Sequence, residues 1–314
     1  AGQVYKTRVD AMQKGTRGAP RLQWSPPGSS DTLALKAAQD ADVVVFVAGL
    51  TARFEGEAMS VKAPGFAGGD RTTLDLPAPQ QKLLERLHAS GKPVVLVLMN
   101  GSAMSVNWAD ANVPAIVQAW YPGGEGGQAV AELLAGDFSP AGRLPVTFYK
   151  SAEQLPPFAD YSMKGRTYRY FTGEPLYPFG YGLSYTSFAY DKPKLSRAAV
   201  KAGEAVELTV EVRNSGSRDG DEVVQLYVSR KAEGAPIRSL KRFQRIHLKA
   251  GETKKVSFRL DAQALSIVDA KGTRIVPAGT AELWIGGGQP GGVKRASGAS
   301  AALKVNGQQV LKPY

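Results

Sequence analysis

The first 150 residues of this 314-residue chain alternate helix-like and strand-like segments, and this order restricts the fold more than any other feature. Such alternation predicts a mostly parallel sheet with helices packed on its faces. The helix-like segments are VYKTRVDAMQKG, SSDTLALKAAQDAD, PQQKLLERLHASG, a short piece around Trp108 and GGQAVAELLAG. The strand-like segments are VVVFVAG, which we expect to be fully buried, PVVLVLMNG and PAIVQAWYPG.

The pattern changes in the second half of the chain. From about residue 195, period-two alternation in AVELTVEVRNSG, DEVVQLYVSR, TKKVSFRLD and GTAELWIGG predicts an immunoglobulin-like sandwich of two sheets. Residues between 150 and 190 are rich in aromatics and turns, which favours a packed connector over an aromatic ligand surface. The predicted domains are therefore residues 1–150, a connector at 151–194, and residues 195–314.

Composition excludes several classes of protein. An apolar content of 43% with 21% charged residues is typical of a globular protein. No run approaches the roughly 18 apolar residues that a membrane-spanning helix needs. The chain has no cysteine and two histidines, so we predict no disulfide and no metal site. No dinucleotide fingerprint, phosphate loop or serine nucleophile elbow occurs, and we expect no cofactor.

The net charge of +11 is concentrated near the C-terminus. Residues 191–314 carry 22 of the 39 Lys and Arg but only 12 of the 28 Asp and Glu. These basic residues are interspersed along strand-like segments, which favours a solvated face over a nucleic-acid partner. Binding to anionic envelope material is the alternative, and its salt dependence would reveal it.

Carboxylates in one long loop are the candidates for chemistry. Three strand-like segments end in conspicuous loops, and ligands of open α/β sheets bind at the carboxyl ends of the strands. These loops start at Gly49, at Asn100-Gly101-Ser102 and at Trp120-Tyr121-Pro122-Gly123. The first, GLTARFEGEAMSVKAPGFAGGDRTTLDLP, carries Glu55 and Glu57 beside Phe54. Either glutamate could be a general acid if shielding raised its pKa, with Phe54 as the apolar wall; otherwise the loop is merely solvated.

Long stretches of the chain closely resemble glycoside hydrolase family 3, which contains β-glucosidases, β-xylosidases and related enzymes. The last 120 residues resemble the fibronectin type III-like domain of that family, through VRNSGSRDGDEVVQLYV and SLKRFQRIHLKAGETKKVSFRL. The earlier part resembles its α/β sandwich domain, through GLTARFEGEAMSVKAPGFAGGDRTTLDLPAPQQKLLERL, GKPVVLVLMNGSAMSVNW, AWYPGGEGGQAVAELLAGDFSPAGRLPVTF and YPFGYGLSYTSF.

This resemblance implies a retaining glycosidase acting on terminal non-reducing β-linked sugars of oligosaccharides or glycosides. A glutamate of the sandwich loop would be the acid/base, opposite an aspartate nucleophile on a (β/α)8 barrel. Gly56-Glu57 followed by Gly69-Asp70-Arg71 repeats the order found in β-glucosidases, and this favours Glu57. The Glu-x-Glu spacing of β-xylosidases keeps Glu55 as the alternative acid/base and β-xylosidase as the alternative activity.

The remaining loop residues have less specific roles. Phe54, Asp70 and Arg71 are candidate substrate-binding residues, although Asp70 and Arg71 also fit an anchor of the loop. Asn100, Trp120 and Tyr121 are expected to be structural or to border the sugar site.

The sequence departs from the family because none of its segments offers a barrel. We therefore expect a C-terminal fragment that works with the barrel on a second polypeptide, in the periplasm or outside the cell by family likeness. The rival hypothesis is a non-catalytic carbohydrate-binding or partner-binding protein, which glycan binding by the isolated chain would identify.

Overall fold

The computed structural model describes residues 29–55, 60–292, 294 and 296–312. The helix predicted for VYKTRVDAMQKG and the acid/base candidate Glu57 lie outside these residues. The helices are α1 (Ser29–Gln39), α2 (Ala78–Ala89), α3 (Asn107–Asn112), α4 (Gly126–Ala135), α5 (Thr167–Tyr170) and α6 (Ala262–Leu265), with a 3₁₀ turn at Ala152–Gln154.

Strands divide into an N-terminal and a C-terminal group. The N-terminal strands are β1 (Val44–Gly49), β2 (Phe66–Ala67), β3 (Asp70–Arg71), β4 (Val94–Met99) and β5 (Ala115–Gln118). The C-terminal strands are β6 (Phe188–Tyr190), β7 (Lys194–Leu195), β8 (Ala199–Lys201), β9 (Val206–Asn214), β10 (Gly220–Arg230), β11 (Ser239–Leu248), β12 (Thr253–Leu260), β13 (Ile267–Val268), β14 (Arg274–Val276), β15 (Gly279–Gly286), β16 (Gly298–Asn306) and β17 (Gln309–Val310).

The N-terminal sheet is parallel, with the strand order β1-β4-β5. Its central strand β4 is an apolar run whose Val94, Leu96 and Leu98 are buried. Those residues form one core with Leu84 and Leu87 of α2, because the apolar stripe of that helix faces the sheet. The predicted alternation of helices and parallel strands is confirmed in this region.

One prediction about this sheet is wrong, because β1 is not fully buried. Val43, Val45 and Val47 are 48%, 45% and 56% exposed, whereas Ala48 is buried. Among the described helices, α2 packs against β1, and the alternating side chains of a strand cannot all face one helix. An apolar run does not reveal whether one face or both faces are covered.

The long loop after β1 contains a short hairpin of its own. Strands β2 and β3 pair antiparallel, with Phe66 opposite Arg71 and Ala67 opposite Asp70. Gly68 and Gly69 form the turn with φ values of 61° and 100°, a region that glycine enters without a steric cost. The hairpin places Phe66 beside Arg71.

The C-terminal part is a sandwich of two main sheets, as the period-two alternation predicts. One sheet has the order β11-β10-β15-β16-β8, and the other has β12-β9-β6 with β7 also paired to β9. Alternate residues of β9, from Val206 to Val212, are buried in a second core between the sheets. That core also receives Leu226 and Ile285 from the facing sheet.

The segment between the two parts packs against both of them. Leu176 belongs to the N-terminal core, while the Tyr168 ring stacks on Phe179 at 4.1 Å and contacts Tyr227 of β10 edge-on. This packing agrees with a connector, although Phe158 and Tyr161 are 93% and 90% exposed. The domain boundaries at residues 150 and 194 stay predictions.

Candidate active site

The loops that follow β1, β4 and β5 lie at the carboxyl edge of the parallel sheet. Gly49 ends β1 with φ 130°, and a Cβ atom there would lie 2.1 Å from the Met99 carbonyl oxygen. The loop of residues 49–77, which contains Glu55, is called the acidic loop. Only glycine can bring its start this close to β4. Gln80 of α2 fixes the same residue, accepting from its N–H at 2.8 Å and donating to its carbonyl at 3.0 Å.

The carboxylate of Glu55 lies where these three loops meet. Its Oε2 accepts hydrogen bonds from the Gly101 N–H at 2.7 Å and from the Tyr121 hydroxyl. Its Oε1 accepts from the Ser102 hydroxyl. One side chain of the acidic loop is thus bonded to the turn after β4 and to the turn after β5.

The other end of the acidic loop reaches the same turn through Arg71. Its guanidinium donates to the Ser102 hydroxyl and to the Ala103 carbonyl, both at 2.8 Å, and to the Thr73 carbonyl at 3.2 Å. Its Nη2 atom is buried and has no hydrogen-bond partner among the described residues. Ser102 therefore bridges Arg71 and Glu55, accepting from the first and donating to the second.

These contacts decide the protonation of the cluster. Partial burial raises the pKa of Glu55, but the hydrogen bonds from Ser102, Tyr121 and Gly101 and the charge of Arg71 outweigh it. The pKa of Glu55 therefore lies below its ordinary value of 4.5. Burial and the hydrogen bond to Glu55 raise the pKa of Tyr121 to about 12. At neutral pH the cluster is a carboxylate held by neutral hydroxyls and a backbone N–H.

The structure places the other predicted residues around this cluster. Phe54 is 40% exposed, and its ring centroid lies 5.6 Å from that of Phe66, so it forms an apolar surface beside Glu55. Asp70 is exposed in β3, whereas Arg71 makes the contacts of a loop anchor. Binding of substrate by Phe54, Asp70 or Arg71 stays a prediction, as does the acid/base role of Glu57.

The sequence does not indicate the bonds that Glu55 forms with Gly101, Ser102 and Tyr121. The available signal was the position of these residues directly after strands, which placed them at the same sheet edge. The residues that directly precede Gly101 and Tyr121 are themselves held by packing or hydrogen bonds. Asn100 is fully buried and donates to the Ser102 carbonyl, and Trp120, at φ 57°, packs edge-on against Phe148.

Two further properties hold for the part of the chain that the structure describes. It contains no group of three or more His, Asp or Glu side chains arranged to hold a metal ion. It also contains no helix with the length and apolar character needed to cross a membrane.

Comparison with known proteins identifies both parts of the chain. Residues 3–185 match the glycosyl hydrolase family 3 C-terminal domain, and residues 222–289 match the fibronectin type III-like domain. A xylan 1,4-β-xylosidase of Xylanibacter ruminicola is 45% identical over 73% of this chain and 26% of the relative. A periplasmic β-glucosidase of Salmonella typhimurium is 40% identical over 74% of this chain and 31% of the relative.

Solved structures give the same result. A β-glucosidase of Erythrobacter marinus superposes with a TM-score of 0.76 at 36% identity, over 88% of this chain and 36% of that protein. A β-glucosidase of Listeria innocua in complex with glucose has a TM-score of 0.76 at 28% identity, over 90% of this chain and 39% of that protein.

The chain thus spans between a quarter and two fifths of the length of these relatives. Because the family model matches residues 3–185, more than half of the chain, this chain belongs to glycosyl hydrolase family 3 and carries its C-terminal α/β domain followed by the fibronectin type III-like domain.

Proposed function

We propose that this chain is the acid/base-carrying part of a retaining β-glycosidase that removes terminal β-linked sugars from oligosaccharides or glycosides. The observation that carries the proposal is the convergence of three strand-end loops on the acidic segment at Glu55, in a chain of glycosyl hydrolase family 3. The carboxyl edge of an open α/β sheet is where ligands bind.

In this mechanism the chain supplies a proton and then removes one. An aspartate of the barrel attacks the anomeric carbon and forms a glycosyl ester, while the bond to the leaving oxygen breaks and that oxygen takes the proton of the acid/base glutamate. The resulting carboxylate then accepts a proton from water, whose oxygen attacks the anomeric carbon and releases the aspartate. Two inversions give net retention.

We assign the acid/base role to Glu57 and keep Glu55 as the alternative. A general acid needs a pKa raised towards neutrality so that it carries a proton when substrate is bound. The pKa of Glu55 lies below 4.5, and donors occupy both of its oxygens. An ionised carboxylate with these bonds is better suited to accept hydrogen bonds permanently than to donate a proton. This supports the assignment of the acid/base role to Glu57.

Replacing Glu57 by Gln tests the assignment in the assembled enzyme. We expect kcat/KM for an alkyl β-glucoside to fall by about 10²–10⁴-fold, because its poor leaving group needs protonation. The loss should be much smaller for 2,4-dinitrophenyl β-glucoside, and added azide should accelerate turnover and yield the β-glycosyl azide. Glu233→Gln, an exposed carboxylate of the C-terminal part, is the matched control. Full activity of Glu57→Gln on the alkyl glucoside would contradict the assignment.

The sugar is proposed to be glucose, with xylose as the alternative. Relatives named β-xylosidase and relatives named β-glucosidase both match this chain, so the names alone do not separate the two activities. Comparing kcat/KM for 4-nitrophenyl β-glucoside and β-xyloside decides between them.

We further propose that the catalytic partner is the family's barrel domain and that the enzyme works in the periplasm or outside the cell. A relative named periplasmic β-glucosidase supports this location. Denaturing mass spectrometry of the natively purified protein tests whether the barrel is a separate polypeptide. If the chain is purified without a barrel and binds glycans, the non-catalytic carbohydrate-binding hypothesis replaces this proposal.

A further inference from the structure

The acidic loop is fastened at both of its ends to a single turn of the parallel sheet. Glu55, near the start of the loop, is bonded to Gly101 and Ser102, and Arg71, near its end, is bonded to Ser102 and Ala103. Phe54, directly before Glu55, and Phe66, paired with Arg71 in the hairpin, have ring centroids 5.6 Å apart. The described residues Phe54 and Glu55 are therefore held near Phe66 and Arg71 by both polar and apolar contacts.

We propose that Glu55 is a positioning residue, whose carboxylate fastens the acidic loop to the turns after β4 and β5 and so fixes where the acid/base residue acts. This inference rests on the proposed function. It assigns to Glu55 a role in orientation instead of proton transfer. Ser102, Gly101 and Tyr121 are its partners in that role, and Arg71 supplies the compensating charge.

The hydrogen-bond inventory of Glu55 supports this role. An ionised carboxylate only accepts hydrogen bonds, and the three groups that face its oxygens are all donors. Hydrogen bonds to a charged acceptor are about twice as strong as neutral ones, so three of them restrain the side chain. A group that delivered its proton to a substrate would have to face that substrate with at least one oxygen.

Chain connectivity carries the restraint to the proposed acid/base residue. Glu57 follows Glu55 by two residues, and two residues span at most about 7 Å of extended chain. A shift of Glu55 therefore shifts the attachment point of Glu57. Misplacing a catalytic group by about 1 Å costs on the order of 10²-fold in rate, so a distant anchor has a measurable effect.

Tyr121 depends on an unusual backbone that is itself well supported. The preceding residue, Trp120, has φ 57°, which is uncommon for a residue with a side chain, and its ring packs edge-on against Phe148. A Cβ atom on Gly101 would lie 2.9 Å from the Tyr121 ring and 3.3 Å from Glu55 Oε2. Gly101 therefore allows the Tyr121 ring and the Glu55 carboxylate to approach the backbone of this turn closely.

The test compares Glu55→Gln with Glu57→Gln in the assembled enzyme. In Glu55→Gln the new side-chain amide places an N–H group opposite one of the donors that now face the carboxylate. We therefore expect kcat/KM to fall by about 10–100-fold. A positioning role predicts the same loss for alkyl β-glucoside and 2,4-dinitrophenyl β-glucoside, no acceleration by azide, and an unchanged basic limb of the pH profile. Tyr121→Phe and Ser102→Ala should give smaller losses of the same pattern, and each should be non-additive with Glu55→Gln.

Controls separate this role from damage to the fold. Tyr161→Phe removes the hydroxyl of a tyrosine that is 90% exposed, and Glu233→Gln neutralises an exposed glutamate; both should leave activity unchanged. Circular dichroism checks folding, and Tyr121→Phe, which removes one oxygen atom, provides a mild variant if Glu55→Gln folds poorly.

Two outcomes would overturn the inference, and they differ from failure of the proposed function. Azide rescue of Glu55→Gln, with activity retained on the dinitrophenyl substrate, would make Glu55 the acid/base while the glycosidase function stands. Unchanged activity in Glu55→Gln and Tyr121→Phe would remove the positioning role. If the wild-type assembled protein hydrolysed no β-glycoside, the proposed function itself would fail.

Discussion

Glu55 at the sheet edge and Glu222 at the junction with the C-terminal sandwich have similar partners. Glu55 accepts from the Tyr121 hydroxyl near Arg71, and Glu222 accepts from the Tyr190 hydroxyl and pairs with Arg143 at 3.1 Å. Their pKa values nevertheless shift in opposite directions. Burial is the largest cause for both, and it raises the pKa of Glu222 but is outweighed at Glu55.

Burial explains the difference. The Glu222 side chain is 4% exposed, so loss of hydration disfavours its charge more than Arg143 and Tyr190 favour it. Glu55 remains partly exposed and has three hydrogen-bond donors. A raised carboxyl pKa therefore does not by itself indicate a catalytic role in this chain, because Glu222 lies in a structural contact between its two parts.

Breaking the Arg143–Glu222 pair should have the largest effect on stability. Arg143 also donates to the Gly287 carbonyl at 3.0 Å, so it joins the N-terminal part to the sandwich. Arg143→Met leaves a buried carboxylate without its cation, and we expect the free energy of unfolding to fall by about 3–5 kcal/mol. Urea denaturation measures this free energy of unfolding.

The matched control is Arg245→Met, which breaks the pair with Asp221. The Arg245 side chain is 67% exposed, so we expect a loss below about 1 kcal/mol. Equal losses for the two variants would mean that the buried pair contributes no more than a surface pair.

A methyl group on Gly101 should disturb the Glu55 cluster with a smaller effect on stability. Gly101→Ala pushes against the Tyr121 ring, which is 43% exposed and can move, so we expect a cost of about 1 kcal/mol. Once the ring moves away from Glu55, the pKa of Tyr121 should fall from about 12 towards its ordinary value of 10. NMR of ring-labelled tyrosine measures this pKa.

Gly124→Ala is the control for that variant, since a Cβ atom there meets no atom within 4 Å. It should change stability by less than about 0.5 kcal/mol and leave Tyr121 unaffected. An unaltered Tyr121 in Gly101→Ala would show that the ring does not depend on this glycine.

The smallest effect is a difference in pH dependence between Glu55→Gln and Glu222→Gln. The folded-state pKa of Glu55 lies below 4.5, so its contribution to stability is present above pH 4.5 and is lost as pH falls through the folded-state pKa. The folded-state pKa of Glu222 lies above 4.5, so its titration stabilises the fold below pH 4.5, and this contribution is lost as pH rises through the folded-state pKa.

Chemical denaturation between pH 3 and pH 7 measures the pH-dependent contributions of both glutamates to stability. The quantity compared is the free energy of unfolding of wild type minus that of the variant. As the pH is lowered, this difference should decrease for Glu55→Gln and increase for Glu222→Gln. Parallel curves for the two variants would contradict the opposite shifts.

Local sequence patterns determined the elements of this protein. Alternating helical and apolar segments predicted α1, α2, α4 and the parallel strands, and period-two alternation predicted β9, β10, β12 and β15. These patterns record which side of each element is buried, so they can be interpreted without knowing the neighbours. They also placed the candidate site at the strand ends, and long matching motifs identified the family.

Tertiary structure alone decided what the local pattern leaves open. The partners of Glu55 lie 46 to 66 residues away in the sequence, and no spacing within the acidic loop indicates them. The run VVVFVAG likewise did not reveal that one face of β1 is exposed. Sequence by itself determined the family, the layers and the sheet edge at which the candidate site was predicted, because these follow from periodicity and motifs. The hydrogen bonds that keep Glu55 a carboxylate, and the buried Arg143–Glu222 pair that joins the two parts, depend on groups that only the folded chain brings together.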